Sequence, residues 1–316
     1  MSLHPPPRAL EARVWTTVPA ALRKSTAYHD WGAANRPGLA VDCFLEGPSF
    51  DRSGALYVVD VPFGRIFRID ESGAWDQVAA YDGWPNGLKI HRDGRIFITD
   101  YKFGIMQLDA QTGSVTPTLT HLRSEGFKGV NDLFFAADGT LYFTDQGQTG
   151  MHDPTGRVYH HDFASGRTER LLANGPSPNG LVTNPAGTVL YVAMTRGNAV
   201  WRVPLFEAGG TSKVSIFTPM AGGNSGADGM AVDVEGNLYV CDAGQGCVWS
   251  FSPDAVPLLR IAAPNTGGRS CTNCAFGGVD NAQLFITESD TGNVLVADIG
   301  IPGAPMYSHS DAPDRV

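Results

Sequence analysis

Charge is scarce in this chain. Of its 316 residues only 17% are Asp, Glu, Lys or Arg, and the formal net charge is -9. The 23 Lys and Arg form no cluster. A nucleic acid or an anionic membrane surface is therefore not the expected partner, since both need grouped cations. No run of about 18 apolar residues occurs, which excludes a membrane-spanning helix. The opening residues MSLHPPPRAL lack the apolar core of a secretion signal, so the expected location is the cytoplasm. Cysteine is sparse and odd in number, at five. Cys271-Thr-Asn-Cys274 is a CxxC with no second pair, and Cys43, Cys241 and Cys247 stand apart from it. That pattern is weak as a zinc or redox signal and reads as reduced thiols in a cytoplasmic protein. No GxSxG occurs, so a serine nucleophile on a strand-to-helix elbow has no local support.

Turn formers are abundant instead, with 38 Gly and 21 Pro beside a hydrophobic fraction of 42%. One unit recurs: ALYVVD ending at Asp60, RIFITD at Asp100, TLYFTD at Asp145, VLYVAM at Met194, NLYVCD at Asp242 and QLFITE at Glu288. The successive spacings are 40, 45, 49, 48 and 46 residues. Each strand follows a turn rich in Asp, Asn and Gly, such as residues 51–54, 92–94 and 137–139. Apolar runs lie before the turn and after the strand, giving about four strands per unit. Six such units at about 40–50 residues predict an all-β, six-bladed β-propeller with four-stranded antiparallel blades. Two packed sandwiches fit the period less well. The expected organisation is a single domain over 1–316. Residues 1–40 form an arm whose segment 11–18 closes the ring as the outermost strand of the last blade. The blades occupy 41–300 and the tail 301–316.

A polar residue recurs in phase with the blades. Ten residues before the second position of each repeated strand stand Glu46, Asn86, Asn131 and Asp228; eleven before it, where the turn is longer, stand Asn179 and Asn273. Gly usually follows, but Asn131-Asp132 and Asn273-Cys274 break that rule. Asn and Asp also start turns, which is the plain reading of any single one. Six in phase, one of them a Glu, predict a ring of oxygens at the mouth of the central channel. A carboxylate such as Glu46, entering an apolar sheet, must be paired, protonated or metal-bound. An all-oxygen set with two carboxylates suits one divalent ion, Ca²⁺ first, with Mn²⁺, Zn²⁺ or Mg²⁺ as other candidates. The lack of His and Cys in the ring argues against a thiolate or imidazole zinc site.

Glu46-Gly47-Pro48, Asn131-Asp132, Pro178-Asn179-Gly180-Leu181 and Asp228-Gly229-Met230, in that order, resemble the senescence marker protein / gluconolactonase / luciferin-regenerating enzyme family. The resemblance covers about residues 40–300. It implies a propeller with a divalent metal in its channel and hydrolysis of lactones, often sugar lactones. Carried over position by position, Glu46, Asn179 and Asp228 match metal ligands, Asn131 a residue near the metal or its water, and Asp228 also the catalytic base. Asn86 and Asn273 come from the ring argument alone.

Hydrolysis of a lactone needs a polarised carbonyl and a deprotonated water, so a general base is required beside the ion. Specificity is expected from the loops that follow the second strands and form the rim. These put forward Tyr101, Lys102, His152 and Arg196, with Asn86 and Asn131 below, as substrate contacts. Each rim residue also reads as an ordinary solvated side chain. Residues 28–31 are either a lid or a plain surface arm. The expected partner is a small-molecule lactone. The competing expectations are a non-catalytic, metal-stabilised propeller scaffold and a calcium-dependent phosphotriesterase.

Overall fold

The computed structural model describes residues 5–24, 29–206, 210–222, 226–265 and 268–310. Its strands form six antiparallel blades arranged as a β-propeller. Blade one comprises Leu45–Phe50, Leu56–Asp60, Arg65–Ile69 and Trp75–Ala80, each hydrogen-bonded to the next. Blades two, three and four repeat this order, opening with Pro85–Ile90, Val130–Phe135 and Pro178–Thr183. Gly226–Val232 opens blade five and Cys271–Gly277 opens blade six. Consecutive opening strands touch, and Cys271–Gly277 touches Leu45–Phe50, so the ring is closed.

The N-terminal arm fastens the closure. Arg13–Thr17 pairs antiparallel with Asn293–Asp298 and supplies the outer strand of blade six. Arg8–Glu11 adds a fifth, parallel strand to blade five beside Pro257–Ala262. That second attachment has no counterpart in the repeat. A short helix, Asp30–Asn35, follows the arm and is capped by His29, whose Nδ1 accepts from the Gly32 amide at 3.0 Å. Its Trp31 is buried against Phe44, with ring centroids 4.8 Å apart. Arg36 reaches Ser270 and Asp290 on blade six. The helix is thus a packed element at the junction of blades six and one, not a loose arm; Tyr28 lies outside the described residues.

The second strand of each blade is buried, save Ala243 and Gln283 at strand ends, and reads as continuous apolar sequence because it is covered on both faces. In every blade but the fourth, where Met194 stands, an acid lies at or beside its end, and at Asp60, Asp145 and Glu288 that acid is structural. Asp60 Oδ1 accepts from the Phe44 amide, Asp145 Oδ1 from those of Lys128 and Gly129, and Glu288 from those of Asp290 and Thr291. Asp60 and Asp145 thereby tie the residues just before the channel strands of their blades, whereas Glu288 holds the turn that leaves its own strand. Asp60 also pairs with Arg65 through Nε at 2.8 Å, both side chains being essentially inaccessible. Asp60→Ala strands a buried guanidinium, which costs about 3–5 kcal/mol. The thermal midpoint is expected to fall on the order of 10 °C, read by scanning calorimetry; an unchanged midpoint contradicts this role.

All five cysteines are buried, unpaired thiols. Cys274 of the CxxC lies beside the Cys241 thiol of blade five, and burial pushes Cys241 up. No described helix is long and apolar enough to cross a membrane.

Candidate functional site

Every opening strand is bulged at the polar ring or, in blade one, just after it, between Glu46 and Ser49. Pro85 faces Asp100 and Leu88 faces Ile98, so Asn86 and Gly87 together oppose one residue. The same irregularity falls between Val130 and Leu133, Pro178 and Leu181, and Ala227 and Met230. A bulge re-aims side chains, and here it turns them into the channel. Threonine on the second strand secures it. Thr99 Oγ1 accepts from the Gly87 amide at 2.6 Å and donates to the Asn131 carbonyl of the next blade at 2.5 Å. Thr144 does the same for the Asp132 amide and the Asn179 carbonyl, at 3.1 and 2.8 Å.

The glycine after the ring residue is explained by crowding. A Cβ on Gly180 would lie 2.4 Å from the Asp228 carbonyl oxygen, and one on Gly229 would lie 2.1 Å from Asn273 Oδ1. Gly47 also has φ +58°, and its Cβ would lie 2.6 Å from the Asn86 carbonyl. Glycine lets adjacent blades close on the axis.

Register corrects the sixth ring position. Cys271 faces Glu288 as Pro85 faces Asp100, and the Asn273 amide donates to Thr287 Oγ1 as Gly87 does to Thr99. The ring residue of blade six is therefore Thr272, while Asn273 occupies the glycine position. The expected count of eleven residues was displaced by one because the turn before Gln283 contains a 3-10 segment, Val279–Asn281. Thr272 Oγ1 donates to the Leu45 carbonyl at 3.0 Å and lies 2.9 Å from the Thr287 and Ser289 hydroxyls, so it locks the seam of the ring.

The two breaks in the glycine rule fall on opposite blades, and both side chains enter the channel. Asn273 Nδ2 donates to Asp132 Oδ2 at 3.3 Å and to Glu46 Oε2 at 3.0 Å. Asp132 is thus a central residue that the ring count passed over; its signal was the missing glycine. Glu46, Asp132 and Asp228 are all buried, at 4%, 3% and 8% exposure. Burial and the Asp132 charge push the Glu46 carboxyl up to about 8. Burial, then Glu46 and Asp132, hold Asp228 well above the usual carboxylate range. Asn179 supports the Asp228 charge by a hydrogen bond, and Arg196 favours it from the rim.

Two acceptors in this cluster have no partner: Asn131 Oδ1 and Asp228 Oδ1. The Asn131 amide nitrogen is held by Gln146 Oε1 at 3.0 Å, which leaves its oxygen free. Buried, partnerless oxygens beside three crowded carboxylates are what a hard cation satisfies. Among the described residues no three His, Cys, Asp or Glu form a ready-made metal pocket. Two expected donors are amides, and the Asn273 amide stands between Glu46 and Asp132. The donor set is nevertheless all oxygen and fits such an ion through Glu46, Asp228, Asn131 and Asn179, with Asp132 adjoining.

The rim residues are less concentrated. Asn86 is half-buried in the ring. Tyr101 lies across Gly129, and its hydroxyl accepts from Gln148 at 3.0 Å. Lys102 turns to Asp82 at 2.8 Å and lies over Trp84. His152 and Arg196 are exposed and flank Gly150 on the rim of blades three and four.

Residues 44–290 match the model of the SMP-30/Gluconolactonase/LRE-like region. Lactonase drp35 of Staphylococcus aureus is 30% identical over 251 residues, 74% of this chain and 73% of that protein. Among solved structures, a calcium-binding protein, regucalcin, from Agrobacterium tumefaciens aligns with a TM-score of 0.72 at 22% identity, covering 95% of this chain and 98% of that one. A gluconolactonase from Xanthomonas campestris aligns with a TM-score of 0.70 at 22% identity, covering 95% and 99%. The matched span runs from just before Glu46 to just past the second strand of blade six and so takes in every ring position; on that ground the chain belongs to the SMP-30/gluconolactonase/LRE-like family.

Proposed function

We propose that this protein is a divalent-metal-dependent lactonase that opens the ester ring of a lactone, with sugar lactones the first class to test. The observation that carries the reading is the partnerless Asp228 Oδ1, buried at the channel mouth among two further carboxylates. Glu46, Asn179 and Asp228 hold the ion, and Asn131 presents its free oxygen beside it. The oxygen-only donor set favours Ca²⁺. Relatives named lactonase and gluconolactonase, and a neighbour described as calcium-binding, support the same choice.

When bound, the ion supplies a Lewis acid for the lactone carbonyl. Asp228 takes a proton from the attacking water as its oxygen bonds to the carbonyl carbon. Collapse of the tetrahedral adduct breaks the ring C–O bond, and the leaving alkoxide recovers a proton from Asp228, giving the hydroxy acid. Asn179 keeps the Asp228 carboxylate oriented for both transfers. Tyr101, Lys102, His152 and Arg196 face the entrance and contact the substrate's hydroxyls, with Asn86 and Asn131 below them.

Chelator-treated protein should release no acid from a panel of aldonolactones, and Ca²⁺ or Mn²⁺ should restore release at least about 100-fold over the stripped sample. Activity on a phosphotriester with none on any lactone assigns the phosphotriesterase chemistry instead. Inertness toward both, with metal bound, leaves a scaffold.

A further inference from the structure

Below the ring the channel turns apolar. Its far end is a cavity lined by residues of all six opening strands, among them Ser49, Phe134, Val182, Met230 and Ala275, and by the segment around Met306. Among the described residues Lys89 is the only charged one lining it. It stands three positions beyond Asn86 on the opening strand of blade two, and its Nζ donates to the Pro48 carbonyl at 3.2 Å. Pro48 adjoins Gly47 and Glu46, so the ammonium lies just beneath the carboxylates. Its charge favours the ionised forms of both Glu46 and Asp132.

We propose that Lys89 is the fixed counter-cation of the central site and makes that site selective for divalent over trivalent ions. The inference rests on the metal-site reading above. Two carboxylates and a divalent ion would already balance; Asp132 adds a third carboxylate and leaves one negative charge. Lys89 cancels it: three negative charges against two from the ion and one from the ammonium. Arg196 acts on Asp228 from the exposed rim, where solvent screens it, whereas Lys89 acts on Glu46 and Asp132 from beneath. The repulsion between Lys89 and a bound ion scales with the ion's charge. Removing Lys89 therefore helps a trivalent ion more than a divalent one.

The test titrates chelator-stripped protein separately with CaCl₂ and TbCl₃ by calorimetry, in the parent, Lys89→Met, Lys89→Gln and Lys89→Arg. The Tb³⁺/Ca²⁺ affinity ratio is expected to rise at least about tenfold in both neutral variants and to stay at the parental value in Lys89→Arg. A packing defect weakens both ions together and leaves the ratio unmoved, so the ratio isolates charge. Two neutral side chains of different shape guard against one that fails to fold. If the parent binds Ca²⁺ and the ratio is the same in every folded variant, Lys89 is not the counter-cation. If the parent binds neither ion, the metal site itself is wrong.

Discussion

Asp228→Ala is expected to lower kcat for lactone hydrolysis by at least about 10³-fold. A general base alone contributes about 10²–10⁴-fold, and in the proposed site this substitution would also remove an ion ligand. Asp228→Asn separates the two roles. It keeps a side-chain oxygen near the Asn179 amide but cannot take a proton, so ion binding should weaken moderately while turnover is lost. Initial rates of acid release, measured at saturating Ca²⁺ and alongside calorimetric affinity, distinguish these outcomes. A rate within about threefold of the parent in the alanine variant would show that the base lies elsewhere.

Glu46→Gln should reduce divalent-ion affinity on the order of 100-fold, since it removes one of the charged oxygens that set affinity. The ion-dependent rise in thermal midpoint, worth about 2.7 kcal/mol at 100 times Kd in the parent, should then shrink to about 0.4 kcal/mol at the same Ca²⁺ concentration. Acidity works in the same direction. The Glu46 carboxyl, held up at about 8 by burial and Asp132, carries a proton at neutral pH when no ion is present. Below that value an entering ion must displace the proton, so affinity climbs from pH 5 to about 8 and levels off above it. The stability of the ion-free protein runs the other way. The native carboxyl keeps a proton that the unfolded chain, at 4.5, has already given up. That contribution is complete below about pH 4.5 and is lost as pH rises to about 8. A Ca²⁺ affinity independent of pH between 5 and 8 would contradict the crowded-carboxylate arrangement.

Much of this was legible in the sequence, for an identifiable reason. A buried second strand cannot alternate, so LYVVD, IFITD and LYFTD stand out as apolar runs, and their spacing fixes the number of blades. The ring positions in blades one to five follow by counting because their hairpin turns are tight. Blade six escaped the count because residues 278–282 make a longer turn, and one residue of slip exchanged Thr272 for Asn273. The glycine rule held information that counting could not use. Gly47, Gly87, Gly180 and Gly229 are small because the next blade leaves no room for a Cβ. Asp132 and Asn273 break the rule where side chains meet across the axis, a relation between opposite blades that has no local trace. Lys89 was equally silent, since one Lys in an apolar run reads as a strand residue facing water. The rim remains the least determined part, because its side chains are fixed by loop conformations that no repeat encodes.

The most direct measurement of the central claim, that oxygens from separate blades converge on one ion, is a calorimetric titration of the chelator-stripped parent protein with CaCl₂. One saturable site per chain, with Kd at or below about 1 mM and lost in both Glu46→Gln and Asp228→Ala, is the predicted result. Absence of saturable binding for Ca²⁺, Mn²⁺, Mg²⁺ and Zn²⁺ alike, in folded protein, would contradict it.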